Sequence, residues 1–313
     1  MLLLLIQIYY RVLFQPVEHP MKEKISFWFQ AIRPKTLTAA VVPFLAGSAL
    51  AYRLNNVFSI EVLTLCLACS LLVQIATNLI NDALDCERGG DTDQRLGPTR
   101  VCQAGYLTVH EVLRAGAGCL VLAALLGIPL ILRGGPELAL LFGASLVCAY
   151  AYTGGPFSIS MNGLAEVFSF LFFGVFATMA AFYLQAGHWS TTSAVLGAQI
   201  GSLVSTISAI NNYRDIAEDK QTGKRTLAVR LGPDFSRKLI ACLALTAYPL
   251  GLYWMSIGLQ LAFILPLILI ALTAILIAGV YSKGPIQAPN KLLALSAGIH
   301  FLFGALLIVG LLL

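Results

Sequence analysis

Two polar stretches interrupt an otherwise apolar chain, and both carry acidic side chains at helical spacing. In the first stretch, Asn78, Asp82 and Asp85 are separated by four and then three positions, so on a helix they share one face. Asp91 follows after a Gly-Gly pair. The second stretch carries a similar set of oxygen-bearing residues, namely Asn211, Asp215, Glu218 and Asp219. Carboxylate and amide oxygens are ligands that suit magnesium, so both stretches are candidate metal sites.

Basic side chains lie beside both acidic stretches. Magnesium usually shares its coordination with substrate phosphates, and guanidinium and ammonium groups bind phosphate oxygens well. The basic residues placed to hold the outer oxygens of a diphosphate are Arg95, Arg100, Arg214, Lys220, Lys224 and Arg225. The two stretches therefore predict a magnesium-diphosphate site. The alternative for each residue taken singly is a solvated loop with salt bridges and helix caps.

The two stretches are also related to each other. Four residues of the first recur 133 positions later, as the pairs Asn78 and Asn211, Asp82 and Asp215, Asp85 and Glu218, and Gly90 and Gly223. Each copy begins at the end of a long apolar segment and continues into a charged loop. We therefore expect two related halves that face one central site.

The elements that position these residues follow from composition. Hydrophobic residues make up 58% of the 313 residues and charged residues 11%, with a mean hydropathy of +0.83; soluble proteins average about 25% charged residues. Asp, Glu, Lys and Arg are absent from 115–132, 138–165, 167–213, 239–282 and 292–313. A bilayer core of ~30 Å needs about 20 helical residues, and lipid offers exposed backbone no partners. We predict an all-α, polytopic membrane protein.

Apolar length and helix breakers divide the chain into nine transmembrane helices. They are predicted at 37–54, 60–81, 113–132, 137–153, 163–185, 192–213, 237–257, 260–281 and 291–312. Residues 1–24 are either an N-terminal arm or an extension caused by an early start assignment. Residues 25–313 are predicted to form one transmembrane domain.

The basic residues also predict an orientation. Of the 20 Lys and Arg residues, 18 lie in the N-terminal segment and in the loops on the same side, and only Arg53 and Arg133 lie on the other side. The positive-inside rule then places the N-terminus and both acidic loops in the cytoplasm. We predict a multi-pass protein of the inner or plasma membrane with its active site on the cytoplasmic side. The net charge of +5 reflects this topology and does not indicate nucleic-acid binding.

The acidic stretches resemble those of the UbiA-type superfamily of membrane prenyltransferases, and more narrowly its MenA-like branch, the 1,4-dihydroxy-2-naphthoate polyprenyltransferases. The motif NDxxDxxxGxDT occupies 81–92 and is followed by Arg-Leu-Gly-Pro at 95–98. The segment NNxRDxxxDxxxGKRTLAVRLG is complete over 211–232. Further matches are Arg-Pro-Lys-Thr-Leu at 33–37 and Tyr-Thr-Gly-Gly-Pro at 152–156. The resemblance covers roughly residues 26–313.

The resemblance implies a helical bundle around a lipid-open cavity, in which Mg²⁺ promotes ionisation of a polyprenyl diphosphate and an aromatic acid acceptor attacks the prenyl group. In this branch the ring carboxylate leaves as carbon dioxide, and the product is a demethylmenaquinol that precedes menaquinone. Carried over to this chain, the resemblance gives the magnesium-diphosphate ligands Asn78, Asp82, Asp85, Asp215 and Asp219, the four aspartates being the catalytic ones. Asp91 and Asn211 are further candidate ligands, and Lys224 and Arg225 would contact phosphate.

One stretch departs from the family pattern. The family tends to show a Pro-Leu pair and a Tyr before Gly-Leu-Gly-Glu, whereas this chain reads FSISMNGLAE over 157–166. The change falls in the region expected to form the acceptor pocket and leaves the magnesium chemistry intact. Candidates for stabilising an allylic cation or binding the acceptor are Arg33, Tyr150, Tyr152 and Tyr213. The ring faces of the three tyrosines would attract a cation. Aromatic residues at helix ends are also common as interface anchors.

Two alternatives remain open from the sequence. Another quinone precursor, such as 4-hydroxybenzoate, would suit the same chemistry. A membrane transporter is the alternative of a different class, because intramembrane acids mark ion paths and repeats are common in carriers. Transporter sites lie near the bilayer midplane, whereas these acids lie at one membrane face. The enzyme is therefore the favoured interpretation.

Overall fold

The computed structural model describes residues 20–89, 96–97, 99–282 and 288–313, and in these ranges it contains helices and no β-strand. We number the helices α1 Met21–Ile32, α2 Thr38–Asn55, α3 Ile60–Glu87, α4 Val109–Ala151, α5 Ala165–Ala186, α6 Thr191–Arg214, α7 Ile216–Gln221, α8 Leu227–Ser256, α9 Gln260–Tyr281 and α10 Ala288–Leu312. A short 3₁₀ turn, Pro34–Thr36, joins α1 to α2.

The predicted class is confirmed, and the predicted number of spans is corrected. Among the described residues, seven helices are long and apolar enough to cross a membrane: α3, α4, α5, α6, α8, α9 and α10. The first predicted span corresponds to α2, which has 18 residues, ends in Arg53, Leu54 and Asn55, and is not one of the seven. The chain is thus a multi-pass membrane protein.

Helix α4 explains the other missing span, because it contains both predicted segments 113–132 and 137–153. Its backbone breaks at Gly135, where φ is 73° and ψ is −166°, next to Pro136. The chain folds back there: a Cβ added to Gly127 would lie 2.3 Å from the ring of Phe142. Only glycine adopts this backbone conformation at low cost, so Gly135 allows two apolar segments, separated by Arg133 and Glu137, to form a helical hairpin.

Helices α5 and α6 pack with their backbones in close approach. A Cβ on Gly174 would lie 2.2 Å from the Cα of Gly201, and one on Gly197 would lie 2.6 Å from the Cα of Val175. Small residues permit this kind of packing, which is common between helices in membranes. The contact joins the middle of α5 to the middle of α6 and so sets the register between the start of α5 and the end of α6, where polar residues gather.

The N-terminal part of the described chain belongs to the same bundle. The rings of Phe27 in α1 and Tyr106 stack with centroids 4.2 Å apart, and α1 therefore packs against the turn that follows α3. Most of the predicted arm, residues 1–24, lies outside the described residues. Its predicted boundary falls inside α1.

Candidate active site

Asp85, near the end of α3, is buried among cationic and amide groups. Its Oδ2 accepts hydrogen bonds from Asn81 Nδ2 at 3.1 Å and from Lys224 Nζ at 3.2 Å. The same oxygen forms an ion pair with Arg100 Nη2 at 3.5 Å. Charged groups this deeply buried are stable only when they are paired. Asp85 therefore organises the first acidic stretch, together with two of the predicted basic residues.

Lys224 joins the two acidic stretches. Its Nζ lies 3.2 Å from Asp85 Oδ2 and 3.9 Å from Asp219 Oδ1, so one ammonium group serves a carboxylate from each stretch. Burial raises the pKa of Asp219 to about 7; Lys224 lowers it, whereas the charges of Asp215, Glu218 and Asp85 raise it. An additional cation at this position would therefore stabilise the charged form of Asp219.

The other two members of the first stripe contact different parts of the chain. Asn78 Nδ2 donates to Ile32 O at 2.8 Å and to Thr36 Oγ1 at 3.0 Å. Asp82 accepts from the backbone N–H groups of Cys102 at 3.1 Å and Val101 at 3.4 Å. Seven residues of helix extend about 10 Å, so the two ends of the stripe meet different neighbours. Asn78 and Asp82 join α3 to the chain segments beside it.

In the second stretch, the neighbouring arginine binds the first carboxylate. Arg214 Nε and Nη2 contact the two oxygens of Asp215 at 2.6 and 2.7 Å, a bidentate pair. Arg214 Nη2 also donates to Asn211 Oδ1 at 2.8 Å, and its Nη1 donates to Asn290 Oδ1 at 3.0 Å. Asn211 and Asp215 therefore converge on Arg214, and Asp219 is the member of this stretch that approaches Lys224.

Arg33 reaches the first stretch from the α1–α2 connection. Its backbone is left-handed, with φ 55°, which is uncommon for a residue with a side chain. Arg33 Nη2 donates to Asn81 Oδ1 at 3.1 Å, and Asn81 Nδ2 donates in turn to Thr153 Oγ1 at 3.0 Å. Asn81 and Thr153 were absent from the predicted site. The signal for Asn81 was its place in the NDxxD motif, four residues before Asp85.

The three candidate tyrosines have different surroundings. Tyr152 forms a tilted contact with Phe168, with ring centroids 5.7 Å apart. Burial raises the pKa of Tyr152; the charges of Glu166, Asp85 and Asp219 raise it further, and Arg33 lowers it. The phenol of Tyr152 therefore lies within electrostatic range of both acidic stretches.

Tyr213 and Tyr150 make contacts elsewhere. Tyr213 accepts a hydrogen bond from Arg237 Nε at 3.1 Å, and the Arg237 guanidinium lies 5.7 Å from the Tyr213 ring centroid. Tyr150 is 50% exposed, and its ring covers Gly154, where an added Cβ would lie 2.7 Å from it. Of the three, Tyr152 is the one whose contacts suit a role near the reacting group.

An apolar cavity lies next to Phe168, whose ring contacts Tyr152. Its walls include Phe44, Val73, Leu141, Phe142, Phe168 and Phe172. Phe168 stacks on Phe172 at 4.4 Å and also contacts Tyr152. The Phe168 ring therefore connects the polar cluster to a cavity suited to a hydrocarbon chain.

The stretch that departs from the family pattern packs between the two acidic stretches. Arg88 Nη1 donates to Thr153 O at 2.6 Å and contacts Met161 Sδ at 3.3 Å. The backbone N–H of Arg225 donates to Met161 O at 2.8 Å. At Gly163, where φ is +75°, an added Cβ would lie 3.0 Å from Arg225 O. The unusual residues thus form a structural part of the site's rim.

The comparisons with known proteins agree with this geometry. Residues 40–309 match the model of the UbiA prenyltransferase family. The chain belongs to this family. It is therefore an enzyme of the prenyltransferase class, as the resemblance of its acidic stretches predicted.

Family members of known name cover most of the chain. It is 33% identical over 303 residues to the 1,4-dihydroxy-2-naphthoate octaprenyltransferase of Haemophilus influenzae, covering 91% of this chain and 97% of that relative. It is 37% identical over 223 residues to the protein of the same name from Escherichia coli strain K12, covering 69% and 72%. A UbiA homolog from Archaeoglobus fulgidus, solved with DMAPP and Mg²⁺, shares the fold, with a TM-score of 0.64, 17% identity, and coverage of 90% and 98%.

The remaining predicted residues of this prenyltransferase lie in two settings. Lys220 and Arg225 are exposed beside the second stretch, and Asp91 and Arg95 lie outside the described residues. Within the described ranges, no group of three His, Cys, Asp or Glu side chains has the arrangement of a metal site. Magnesium commonly uses one or two carboxylates and completes its coordination with waters and substrate phosphates. The oxygens of Asp85 and Asp219 fit that requirement.

Proposed function

We propose that this UbiA family member transfers a polyprenyl group from its diphosphate to 1,4-dihydroxy-2-naphthoate. Diphosphate and carbon dioxide are released, and the product is a demethylmenaquinol for menaquinone biosynthesis. The observation that carries the proposal is the position of Lys224 between Asp85 and Asp219, close to the Tyr152–Phe168 pair at the apolar cavity. The names and extents of the two relatives support the choice of acceptor.

The polar cluster would bind and activate the diphosphate. Asp85 and Asp219 would hold magnesium, which when bound would neutralise the diphosphate and favour its departure. Lys224 and Arg100 are placed to bind phosphate oxygens that the metal does not cover. This preorganised charge stabilises the transition state as negative charge moves onto the leaving group.

The aromatic and apolar groups would control the other half of the reaction. The cavity holds the prenyl chain away from water, and the ring faces of Tyr152 and Phe168 lie beside the developing allylic cation. The ring carbon that bears the acceptor's carboxylate attacks C1 of the prenyl group as the C1–oxygen bond breaks. The bond to the carboxylate carbon then breaks, its electron pair returns to the ring, and carbon dioxide leaves.

We place the protein in the inner or plasma membrane with this site on the cytoplasmic side. The support is the distribution of basic residues between the nine segments predicted from the sequence, with 18 of 20 on one side. Reporter fusions at Lys224 and at Leu313 test the placement: the first should report cytoplasm and the second the outer side. The same result at both sites would contradict it.

The acceptor is tested directly with membranes that contain the protein. Carboxyl-labelled 1,4-dihydroxy-2-naphthoate and a polyprenyl diphosphate should give one released label for each prenylated product. EDTA should abolish the reaction, and added Mg²⁺ should restore it. Prenylation of 4-hydroxybenzoate with its carboxylate retained, together with no reaction of the naphthoate, would contradict the proposal. Membranes without the protein are the control.

A further inference from the structure

Glu166, at the start of α5, is a buried carboxylate that the mechanism above does not use. Its side chain is 5% exposed. Oε1 accepts a hydrogen bond from Asn212 Nδ2 at 2.9 Å, and its backbone oxygen accepts one from Ser205 Oγ at 2.8 Å. Oε2 is buried and has no hydrogen-bond partner within the described part of the chain. A buried acceptor left in this state is costly, so a ligand that donates a hydrogen bond here would be stabilised.

The position of Glu166 is fixed from two directions. The backbones of α5 and α6 meet at Gly174 and Gly201, where a Cβ would lie 2.2 Å from the opposing Cα. Asn212, which holds Oε1, is on α6, three residues before Asp215. The carboxylate is thus held in register with the second acidic stretch, as a binding group needs to be.

Glu166 is also close to the proposed reaction centre. The charges of Glu166, Asp85 and Asp219 all raise the pKa of the Tyr152 phenol, in addition to the effect of burial. Phe168, two residues after Glu166, contacts the Tyr152 ring at 5.7 Å and lines the apolar cavity. Glu166 Oε2 therefore lies in the region where the proposed diphosphate-binding residues, the cavity and Tyr152 come together.

We propose that Glu166 Oε2 accepts a hydrogen bond from a ring hydroxyl of the aromatic acceptor and so holds the ring beside Tyr152. This inference rests on the proposed function and adds a specificity-determining residue to it. A hydroxyl is the donor that an electron-rich aromatic acid offers, whereas its carboxylate would be repelled by Glu166. The ring is therefore oriented with a hydroxyl at Glu166 and its carboxylate turned away.

The hydrogen bond would also assist the chemistry without adding a proton transfer. The hydroxyl shifts electron density into the ring when its proton is held by a carboxylate, and this favours attack on C1 of the prenyl group. The new carbon–carbon bond forms as the bond to diphosphate breaks. The carboxylate then leaves as carbon dioxide, its electron pair restores the ring, and the hydroxyl keeps its proton.

The test compares wild type with Glu166→Gln, which has nearly the same shape. When Asn212 donates to the Gln carbonyl, the group left at the Oε2 position is an amide donor. We expect kcat/KM for 1,4-dihydroxy-2-naphthoate to fall about 10- to 100-fold, while KM for the prenyl diphosphate stays unchanged. Each hydroxyl is then replaced in turn by methoxy. The analogue that lacks the hydroxyl bound by Glu166 should react at equal rates with wild type and with Glu166→Gln.

Two further variants separate binding from folding. Ser169→Ala, on the same helix as Glu166, removes the hydrogen bond between Ser169 and Ser208 of α6 and should leave the acceptor kinetics near wild type. Glu166→Asp keeps the charge and should show a smaller loss while retaining the dependence on the hydroxyl. Equal losses for Glu166→Gln with the dihydroxy acceptor and both methoxy analogues would overturn the inference in favour of a structural role.

The result with wild type distinguishes the two proposals. If wild type prenylates the naphthoate and Glu166→Gln does so equally well, the inference fails and the proposed function stands. If wild type leaves the naphthoate unchanged, the proposed function fails and the inference fails with it. Thermal melting with prenyl diphosphate and Mg²⁺ should give the same midpoint shift for wild type and Glu166→Gln.

Discussion

The two acidic stretches have similar spacing, but their first carboxylates are held in different ways. In α3, both oxygens of Asp82 accept hydrogen bonds from backbone N–H groups about twenty residues later in the chain. At the end of α6, both oxygens of Asp215 are bound by the adjacent residue, Arg214. The first arrangement depends on tertiary packing, whereas the second is local. Similar spacing on a helix thus predicts a shared face and leaves the partners undetermined.

The later carboxylates of the two stretches behave alike. Asp85 and Asp219 both approach Lys224, although the 133-residue repeat aligns Asp85 with Glu218. The break between α6 and α7 at Asp215, where ψ is 10°, changes the helical phase of the residues that follow. We therefore propose that the later carboxylate of each stretch carries the chemistry and that the earlier one makes a structural contact.

Removing the charge of Asp85 should have the largest effect. Asp85→Asn takes away the carboxylate that faces Lys224 and Arg100, and we expect prenyl transfer to fall at least about 100-fold because a metal-binding and charge-organising oxygen is lost. Steady-state rates in detergent, with saturating Mg²⁺, measure it. Asp234→Asn is the control, since Asp234 is exposed and pairs only with Arg237 among the described ion pairs. An Asp85→Asn enzyme with more than a tenth of wild-type activity would contradict the assignment of the chemistry to the later carboxylates.

Lys224 should rank second. Lys224→Met removes the ammonium that the two later carboxylates share, so phosphate binding weakens and the carboxylates repel each other. We expect kcat/KM to fall about 10- to 100-fold, mostly through KM for the prenyl diphosphate. Lys220→Met alters an exposed lysine four residues away and should change the same constant little. A larger effect at Lys220 than at Lys224 would show that the exposed Lys220, rather than the lysine shared by Asp85 and Asp219, binds the diphosphate.

Substitution of Asp82 tests whether the earlier carboxylate of the first stretch has a structural role. Asp82→Asn replaces a charged acceptor of two backbone hydrogen bonds, so we expect about 1–3 kcal/mol less stability and a change of less than about 10-fold in kcat. Thermal melting and kinetics on the same preparation separate the two effects. Loss of transfer at an unchanged melting temperature would instead give Asp82 the magnesium-ligand role that the sequence predicts.

Asn290 should give the smallest effect. Asn290 connects Arg214 to the segment between α3 and α4. Its Oδ1 accepts from Arg214 Nη1 at 3.0 Å, and its Nδ2 donates to Leu96 O at 2.7 Å. Asn290→Ala should cost about 1 kcal/mol of stability and change kcat/KM by about 2- to 5-fold. Thr246→Ala, which loses contacts to the backbone oxygen and the sulfur of Cys242 within α8, is the control. Equal behaviour of the two variants would remove Asn290 from the site.

Much of this protein follows from sequence alone. The lack of charge in long segments determines a helical membrane protein, because lipid excludes unpaired backbone groups. Helical spacing places Asn78, Asp82 and Asp85 on one face of α3, and the motif at 211–232 identifies the family. The prediction of nine spans differs from the seven long apolar helices of the described residues because α4 holds two predicted segments, on either side of Gly135, and because α2 is short and ends in polar residues.

The tertiary structure decided which of these side chains meet. Asp85 and Lys224 are 139 positions apart, and Glu166 is 46 positions from Asn212. Helical spacing orients a side chain relative to its own helix axis, but a partner is chosen by the packing of neighbouring helices and by the turns that end them. For this reason the sequence indicated the acidic stretches and the class of reaction, whereas Lys224 as a bridge and Glu166 as a buried acceptor emerged only from the folded bundle.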